Sequence, residues 1–489
     1  MDEVNFDWHL TSSFAGQSSE LALLDRWWQD PSTTTMVVSG PVGSGKSWLV
    51  RQFAHHKDAT VVPCRRISVG AQLEKIRATL SLKPTDSESS NTLSSLIAEL
   101  MEQRSDHKSL LIIDDFNWLL PTGGSTVDEE LARLRKTIIS RKASSPLKLL
   151  FVVEDRSVAD TLVAEKPSNS GVIQGLEMSS LSLSNAGSLL QGSDPFERFT
   201  LMSVSGGLIS RVAIFGASDL RQVVVDEVLT PGGALWETGE VPITASLREP
   251  RIYFSILEEL AAGDRLIAEL SPAIHLETGP TSKYLNTLET IGLVERRLPV
   301  GAPPLSRNGH WRLKDGFLRF YFRFVFPNKE KIIDGLSPED LYDSVIAPDL
   351  MRGVEIDFQD WATSWTRKSH SFIAPIAGPW WPSVKPDFRR KQSRRTEGLT
   401  IVGFDETQIT MAGEAIWSNQ PMGEEVVRDL RDKRLPLLAG AGYEQEFPPI
   451  LILFSRAGYT DELKNAARTD ESLVLVDVGL EMTREAAQR

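Results

Sequence analysis

The chain has 489 residues, 41% hydrophobic and 24% charged, a balance ordinary for a folded soluble protein of roughly three domains. Its formal net charge of −13 argues against a dedicated, sequence-indifferent nucleic-acid binder, because phosphate affinity comes from clustered Lys and Arg, although local patches can override the sum. The single cysteine, Cys64, allows no internal disulfide and suits a reducing cytoplasm, no apolar run approaches the ~20 residues of a membrane span, and Met1-Asp2-Glu3 is acidic where a signal peptide is basic. A soluble cytoplasmic protein with no membrane partner is expected.

Residues 1–182 alternate strand and helix patterns. Strands are predicted at Thr35–Ser39, Thr60–Pro63, Leu110–Ile113, Leu147–Val153 and Val172–Met178, with helices at Leu93–Gln103 and Asp128–Arg141, which implies a parallel sheet covered on both faces. After the first strand comes Gly40-Pro41-Val42-Gly43-Ser44-Gly45-Lys46-Ser47-Trp48, a P-loop between strand and helix. Its glycines turn backbone amides around a β-phosphate, Lys46 reaches the β/γ oxygens, Ser47 ligates Mg²⁺ and the following helix offers its positive end to the anion. ATP and Mg²⁺ are the expected cofactors, held by Gly40, Pro41, Gly43, Ser44, Gly45, Lys46, Ser47 and Trp48. The apolar run Leu110–Ile113 ends in Asp114-Asp115, a Walker B pattern: Asp114 joins Ser47 in holding the metal, and Asp115, with Lys46, is the candidate catalytic group, orienting the attacking water. Most ATPases of this kind have Glu there. Asp is one methylene shorter, so slow turnover is expected.

From Ser184 to Leu229 the pattern is wholly helical, broken at Gly206-Gly207 and Gly216, and suits a lid spanning residues 183–245; Pro231-Gly232-Gly233 marks a hinge. Residues 246–328 then give the helix Glu249–Ala262, the stretch Arg265–Leu270, a turn at Gly279-Pro280, the helix Thr281–Ile291 and the strand Leu293–Leu298, the order of a winged helix. Its third helix carries Lys283, Asn286 and Thr287, and Arg296 and Arg297 follow, so DNA contact is open beside an interdomain packing role. The aromatics of Phe317–Phe326 read as an apolar seam rather than a base-stacking platform. Residues 329–489 form a second α/β domain: helix Asp349–Trp365, strands Ser371–Ala377, Leu399–Phe404 and Ile409–Trp417, helix Glu424–Arg434 and strand Ile450–Phe454.

The whole pattern resembles the archaeal-type ATPases of prokaryotes, relatives of the STAND branch of AAA-like ATPases. The carriers are Phe14-Ala15-Gly16-Gln17-Ser18-Ser19-Glu20-Leu21, the two Walker motifs, Leu247–Tyr253, Asp315–Phe324 and Gly378-Pro379-Trp380-Trp381. The resemblance implies a P-loop core, a helical lid, a winged helix and a C-terminal domain similar to PD-(D/E)xK restriction nucleases. Departures are as informative. Gln17 stands where the family has Arg, Ile209 replaces the lid proline, and Glu154-Asp155 replaces Gly-Ser at the end of the fourth strand, putting negative charge near the γ-phosphate region, where a polar sensor usually sits. Arg156 and Arg211 are read as surface residues in preference to compensating cations.

In the C-terminal domain the resemblance puts Thr400 at the nuclease Asp position and Ile416 at its Lys, leaving Glu414 alone, while Glu355 and Asp357 read as solvated. A lone carboxylate holds Mg²⁺ weakly, so a catalytically dead nuclease fold is expected. One basic cluster, Lys385, Arg389, Arg390, Lys391, Arg394 and Arg395, suits either a nucleic-acid backbone or acidic protein surface. The favoured function is an ATP-dependent regulator acting on an unidentified protein partner. The alternative is a DNA-binding protein, through Lys283, Arg296, Arg297, Arg389, Arg390, Arg394 and Arg395, with ATP structural; an ATP-driven nuclease ranks last.

Overall fold

The computed structural model describes residues 17–82, 92–103, 108–121, 124–141, 146–163, 172–186, 189–190, 194–247, 249–370, 374–382, 398–405, 408–441, 443 and 448–487. The chain divides into two compact units, Met1–Leu181 with Leu208–Ser210, and Ser182–Gly207 with Arg211–Arg489.

In the first unit the elements run α1 (Ser18–Gln29), β1 (Thr35–Ser39), α2 (Lys46–Ala54), β2 (Ala59–Pro63), α3 (Val69–Thr79), α4 (Leu93–Gln103), β3 (Ser109–Asp114), α5 (Gly124–Arg141), β4 (Leu147–Val153), α6 (Arg156–Val163) and β5 (Ile173–Glu177). All five strands are parallel, in the order β2-β3-β4-β1-β5. β1, β3 and β4 are buried along their whole length, which is why they read as unbroken apolar runs rather than alternating ones. Alternate residues serve opposite faces. Val38, Ile112 and Leu150 pack under α1 and α2 with Leu24, Trp27 and Phe53, whereas Val37, Leu111 and Phe151 join Leu73, Leu96 and Leu134 beneath α3, α4 and α5. This is a P-loop α/β fold. Its loops after β1, β3 and β4 all leave from the same, carboxyl edge of the sheet, where ligands of open α/β sheets bind.

The second unit opens with short helices, α7 (Leu183–Ala186), α8 (Pro195–Ser205), α9 (Ile209–Phe215, whose first two residues belong to the first unit) and α10 (Leu220–Val223). α11 (Val241–Ser246) and α12 (Pro250–Ala261) lead into β6 (Arg265–Leu266), α13 (Ile267–Ala273), α14 (Thr278–Thr290), β7 (Val294–Arg297) and β8 (His310–Leu313), with β6, β8 and β7 forming a small antiparallel sheet. Two details differ from expectation. Arg265–Leu266 pairs with Trp311 and His310 before its helix starts, and Gly279-Pro280 lies inside the first turn of α14, where proline loses no intrahelical hydrogen bond. α15 (Gly316–Phe320) starts at Asp315, whose carboxylate accepts from Phe317 N at 2.8 Å. Phe317, Phe320, Tyr321, Phe322 and Phe324 are all buried; Phe322 lies 6.1 Å from Phe254 of α12, and Tyr321 donates to Trp236 O at 2.7 Å. They form core, which leaves no face for base stacking.

After α16 (Lys329–Ile333) and α17 (Pro338–Leu341), the long α18 (Ala347–Ser369) packs on a mixed five-stranded sheet of β9 (Ile376–Trp380), β10 (Leu399–Asp405), β11 (Gln408–Ile416), β12 (Ile450–Ser455) and β13 (Leu473–Val476), in the order β13-β12-β11-β10-β9. α19 (Glu424–Asp429), α20 (Leu435–Gly440) and α21 (Asp461–Thr469) cover the other face. The final α22 (Val478–Ala487) is tied to α18 by Trp361 Nε1 to Glu485 at 2.8 Å and Trp365 Nε1 to Glu481 at 3.0 Å. The strand expected at Ser371–Ala377 runs at Ile376–Trp380 instead, with residues 371–373 outside the described set. Pro379 argues against a strand on sequence grounds, but β9 is an edge strand, where a missing N–H is tolerated. No described helix is long and apolar enough to cross a membrane.

Candidate functional site

The loop joining β1 to α2 carries three glycines in the left-handed half of backbone space, Gly40 (φ 151°), Gly43 (φ 84°) and Gly45 (φ 87°). Space demands glycine as well as conformation. A Cβ on Gly40 would stand 2.5 Å from Met178 O, and one on Gly45 would meet Gln17 Nε2 at 2.8 Å and Ile209 Cγ2 at 2.9 Å. Gln17, buried at 2% exposure, donates Nε2 to Ser44 O at 2.6 Å, and Ser210 N donates to Gly43 O at 3.2 Å, so the loop is held from outside by residues distant in sequence.

Lys46, the first residue of α2, is buried and donates its ammonium to Gly40 O at 2.7 Å and Pro41 O at 2.8 Å. Burial lowers its pKa, and the carboxylates of Glu154, Asp115 and Asp114, in that order, oppose the shift. Pro41 is exposed, Ser44 buried and Trp48 half-buried on the helix. Ser47 Oγ donates to Asp114 Oδ1 at 2.9 Å, bringing together the two residues expected to hold Mg²⁺. A hydroxyl beside a carboxylate is a hard oxygen donor set, which fits that ion. Arg51, one helical turn beyond Ser47, approaches Asp114 Oδ2 at 3.3 Å.

Asp115 sits at φ 57°, ψ 41°, a left-handed conformation uncommon outside glycine and most tolerable for Asp and Asn. Burial first and the neighbouring Asp114 second raise its pKa. Two residues on, Asn117 Oδ1 accepts from Glu154 N at 3.0 Å, fastening the tip of β4 to the turn after β3. The pair replacing the family's Gly-Ser divides its work. Asp155 accepts from Ser157 N and Oγ at 2.8 and 2.7 Å and so caps α6, whereas Glu154 is exposed and enters none of the ion pairs among the described residues. Arg156 is a surface residue, pairing with Glu177 at 3.0 Å. Arg211 is not. It is 4% exposed, pairs with Asp315 and lies 4.6 Å from the Phe317 ring, because a guanidinium with a carboxylate partner and an aromatic face is tolerated in a core.

In the second unit Glu414 on β11 is 7% exposed and fully engaged: Thr400 Oγ1 donates to it at 2.8 Å, Thr400 N at 3.3 Å, and the Arg434 guanidinium pairs with it. Burial raises its pKa and Arg434 opposes that shift. Arg434 Nε also binds Asp429 at 2.7 Å. Asp357, expected to be solvated, accepts from Ser203 Oγ and pairs with Arg319. Of the basic residues proposed for DNA, Lys283 is exposed on α14, Arg296 donates to Pro304 O at 3.3 Å and to Ser306 O, and Arg297 pairs with Asp360 at 2.9 Å. Lys385, Arg389, Arg390, Lys391, Arg394 and Arg395 lie outside the described residues.

Residues 31–162 match the sequence profile of a family described as an AAA domain, a span holding both Walker motifs. The first unit is a P-loop ATPase domain. Such a domain binds nucleotide, usually with Mg²⁺. The chain is 33% identical over 88 residues to an uncharacterised protein of Methanocaldococcus jannaschii, a match covering 18% of this chain and 20% of that relative's length. Among solved structures it is similar to a Walker-type ATPase of Pyrococcus abyssi, with 14% identity, TM-score 0.43 and 63% of this chain against 95% of that one. It is also similar to the ORC2 protein of Aeropyrum pernix, solved as ADPNP and ADP complexes, with 15% identity, TM-score 0.41 and coverages of 65% and 95%. A STAND protein with a tetratricopeptide repeat sensor from Pyrococcus horikoshii gives 15% identity, TM-score 0.29 and coverages of 74% and 51%.

Sequence reasoning passed over the structural parts played by Gln17, Arg51 and Asn117. Only Arg51 left a local signal, its i+4 spacing from Ser47 on α2.

Proposed function

We propose that the protein binds Mg·ATP in its first unit and acts as a nucleotide-dependent regulator of a protein partner, hydrolysing ATP slowly. The observation that carries this reading is the assembly of Lys46, Ser47 and Asp114 around a glycine-rich loop, set against the engagement of Glu414 by Arg434 and Thr400. When bound, Mg²⁺ supplies charge neutralisation for the phosphates. The chain's own residues bind and orient: the P-loop amides and Lys46 take the β/γ-phosphate oxygens, Ser47 and Asp114 hold the ion, and Asp115 stands beside the attacking water. A regulator needs its nucleotide states to differ in binding energy, and hydrolysis supplies the switch between them.

Residues 246–328 are read as a winged helix, supported by the order helix, strand, helix, helix, strand, strand and its three-stranded antiparallel sheet. The C-terminal sheet is read as a nuclease-like domain that does not cut. A guanidinium beside Glu414 supplies the positive charge that a metal brings to a working nuclease, and Thr400 and Ile416 offer no second carboxylate or lysine. DNA binding ranks second, since Arg296 and Arg297 already have partners.

The test is ATP binding and conversion to ADP by wild type, Lys46→Ala and Asp114→Ala. Binding that disappears with Lys46 and slow turnover that disappears with Asp114 support the reading. Undiminished nucleotide affinity in both variants overturns it. Steeply salt-dependent duplex binding that needs Arg389 and Arg390 would transfer the assignment to the DNA reading.

A further inference from the structure

We propose that Glu154, at the tip of the strand between the two Walker strands, is the carboxylate that activates the attacking water, with Asn117 as its positioning residue. The inference rests on the ATP-binding reading above and assigns within that site a role that the sequence places on Asp115.

Strand order and register carry it. β4 lies between β3, which ends in Asp114, and β1, which ends at the P-loop. Ser39, the last residue before Gly40, pairs with Val153, and Ile113, the last before Asp114, pairs with Phe151. Glu154 therefore follows directly on the strand position level with the P-loop entrance, and β4 extends one residue past the level of Asp114, with Glu154 the next. A carboxylate there sits between the phosphate-binding loop and the metal-binding carboxylate, where the terminal phosphate and its attacking water must meet.

Three further observations agree. The backbone of Glu154 is fixed, because Asn117 Oδ1 accepts its N–H at 3.0 Å. Its carboxylate is exposed and unpaired among the described residues, while the adjacent Asp155 is used up in capping α6 and Arg156 turns to Glu177. Its charge acts on buried Lys46 more strongly than that of Asp115 or Asp114. Glu also restores the methylene that Asp115 lacks. In the step itself the water oxygen forms the bond to the γ-phosphorus as the bond from that phosphorus to the β,γ-bridging oxygen breaks. The electron pair leaves on ADP, and the water proton passes to the Glu154 carboxylate and then to solvent.

The experiment compares wild type, Glu154→Gln, Glu154→Asp and Asp115→Asn. ADP formation is measured across pH, and dissociation constants for labelled ATP and ADP are measured with Mg²⁺. Glu154→Gln is expected to lose turnover by about 100-fold, the low end of what a positioned base contributes, and to lose the acidic limb of the pH–rate profile. It should bind ATP as tightly as wild type or about threefold more tightly, with ADP affinity unchanged, because a negative charge facing the γ-phosphate is gone. Glu154→Asp should recover part of the rate, and Asp115→Asn should cost less than Glu154→Gln. The proposal is overturned by turnover within about twofold of wild type in Glu154→Gln, or by a larger loss in Asp115→Asn. Wild type that binds ATP without converting it would also sink this proposal while leaving the nucleotide-binding reading intact, and failure to bind ATP at all would remove both.

Discussion

Asp114 and Glu414 are both buried acids at sheet positions, 2% and 7% exposed, yet their surroundings give them opposite uses. Glu414 is enclosed by a guanidinium, a hydroxyl and an amide, all from its own unit. Asp114 has the Ser47 hydroxyl at 2.9 Å, the Asp115 amide at 3.1 Å and a longer Arg51 approach at 3.3 Å, and the loop facing it is built from left-handed glycines. Nearby, Ser44 Oγ and Gln17 Oε1 are buried and have no hydrogen-bond partner among the described residues. Both acids meet a cation, a hydroxyl and an amide, but Arg434 is in direct contact with Glu414 and only 19% exposed, whereas Arg51 stands 3.3 Å from Asp114 and is 33% exposed, so the Asp114 pair is the one a ligand can displace. Neither burial nor the number of partners separates the two; the closeness and exposure of the paired cation do.

The contrast breaks most visibly by removing one partner from the Glu414 pair. Arg434→Ala is expected to destabilise the second unit by about 3–5 kcal/mol, since a buried charge loses its counterion. Thermal unfolding reads this as a fall of roughly 10 °C, with Arg434→Met, Glu414→Leu together recovering most of it. Unchanged stability in Arg434→Ala would mean that Glu414 is not held by this pair. The corresponding change in the first unit acts on ligand rather than fold. Lys46→Ala should weaken ATP binding about 100-fold, the scale of two charge-assisted hydrogen bonds, while the melting midpoint without nucleotide moves little. Titration calorimetry distinguishes this from a folding defect.

Segments with one continuous physical signal were legible. Thr35–Ser39, Leu147–Val153 and Leu93–Gln103 match the observed elements end to end, because buried parallel strands and an amphipathic helix announce themselves by composition. The P-loop and Asp114-Asp115 are equally local. What stayed hidden depends on partners far away in the chain: Gln17 and Ser44 are 27 residues apart, Asn117 and Glu154 are 37, and Glu414 and Arg434 are 20. The elements beyond Phe454 were passed over for a different reason. β13 has four residues and α21 nine, and each gains its stability from the sheet edge it covers rather than from its own pattern.

Side-chain reach gives the next, smaller effect. With Glu154 activating the water, Asp115→Glu should leave ADP formation within about twofold of wild type and ATP affinity unchanged, whereas a several-fold gain would return the role to Asp115 and its short side chain.

The smallest expected effect comes from moving the same ion-pair chemistry to the surface. Arg431 and Asp470 are 2.5 Å apart, but their side chains are 45% and 33% exposed, so screening leaves the pair worth well under the buried one. The Ser472 hydroxyl, and after it Arg431, pulls the Asp470 pKa down to about 2 from 3.8. An acid depressed in the folded state stabilises the fold above its unfolded value and loses that contribution as pH falls through its folded value. The window is therefore pH 3.8 down to about 2. Because other carboxylates titrate there too, the informative quantity is the difference between wild type and Asp470→Asn. Wild type should be slightly more stable at pH 5, and the two melting curves should converge toward pH 2. A gap as large as that from Arg434→Ala would mean that exposure does not set the worth of these pairs.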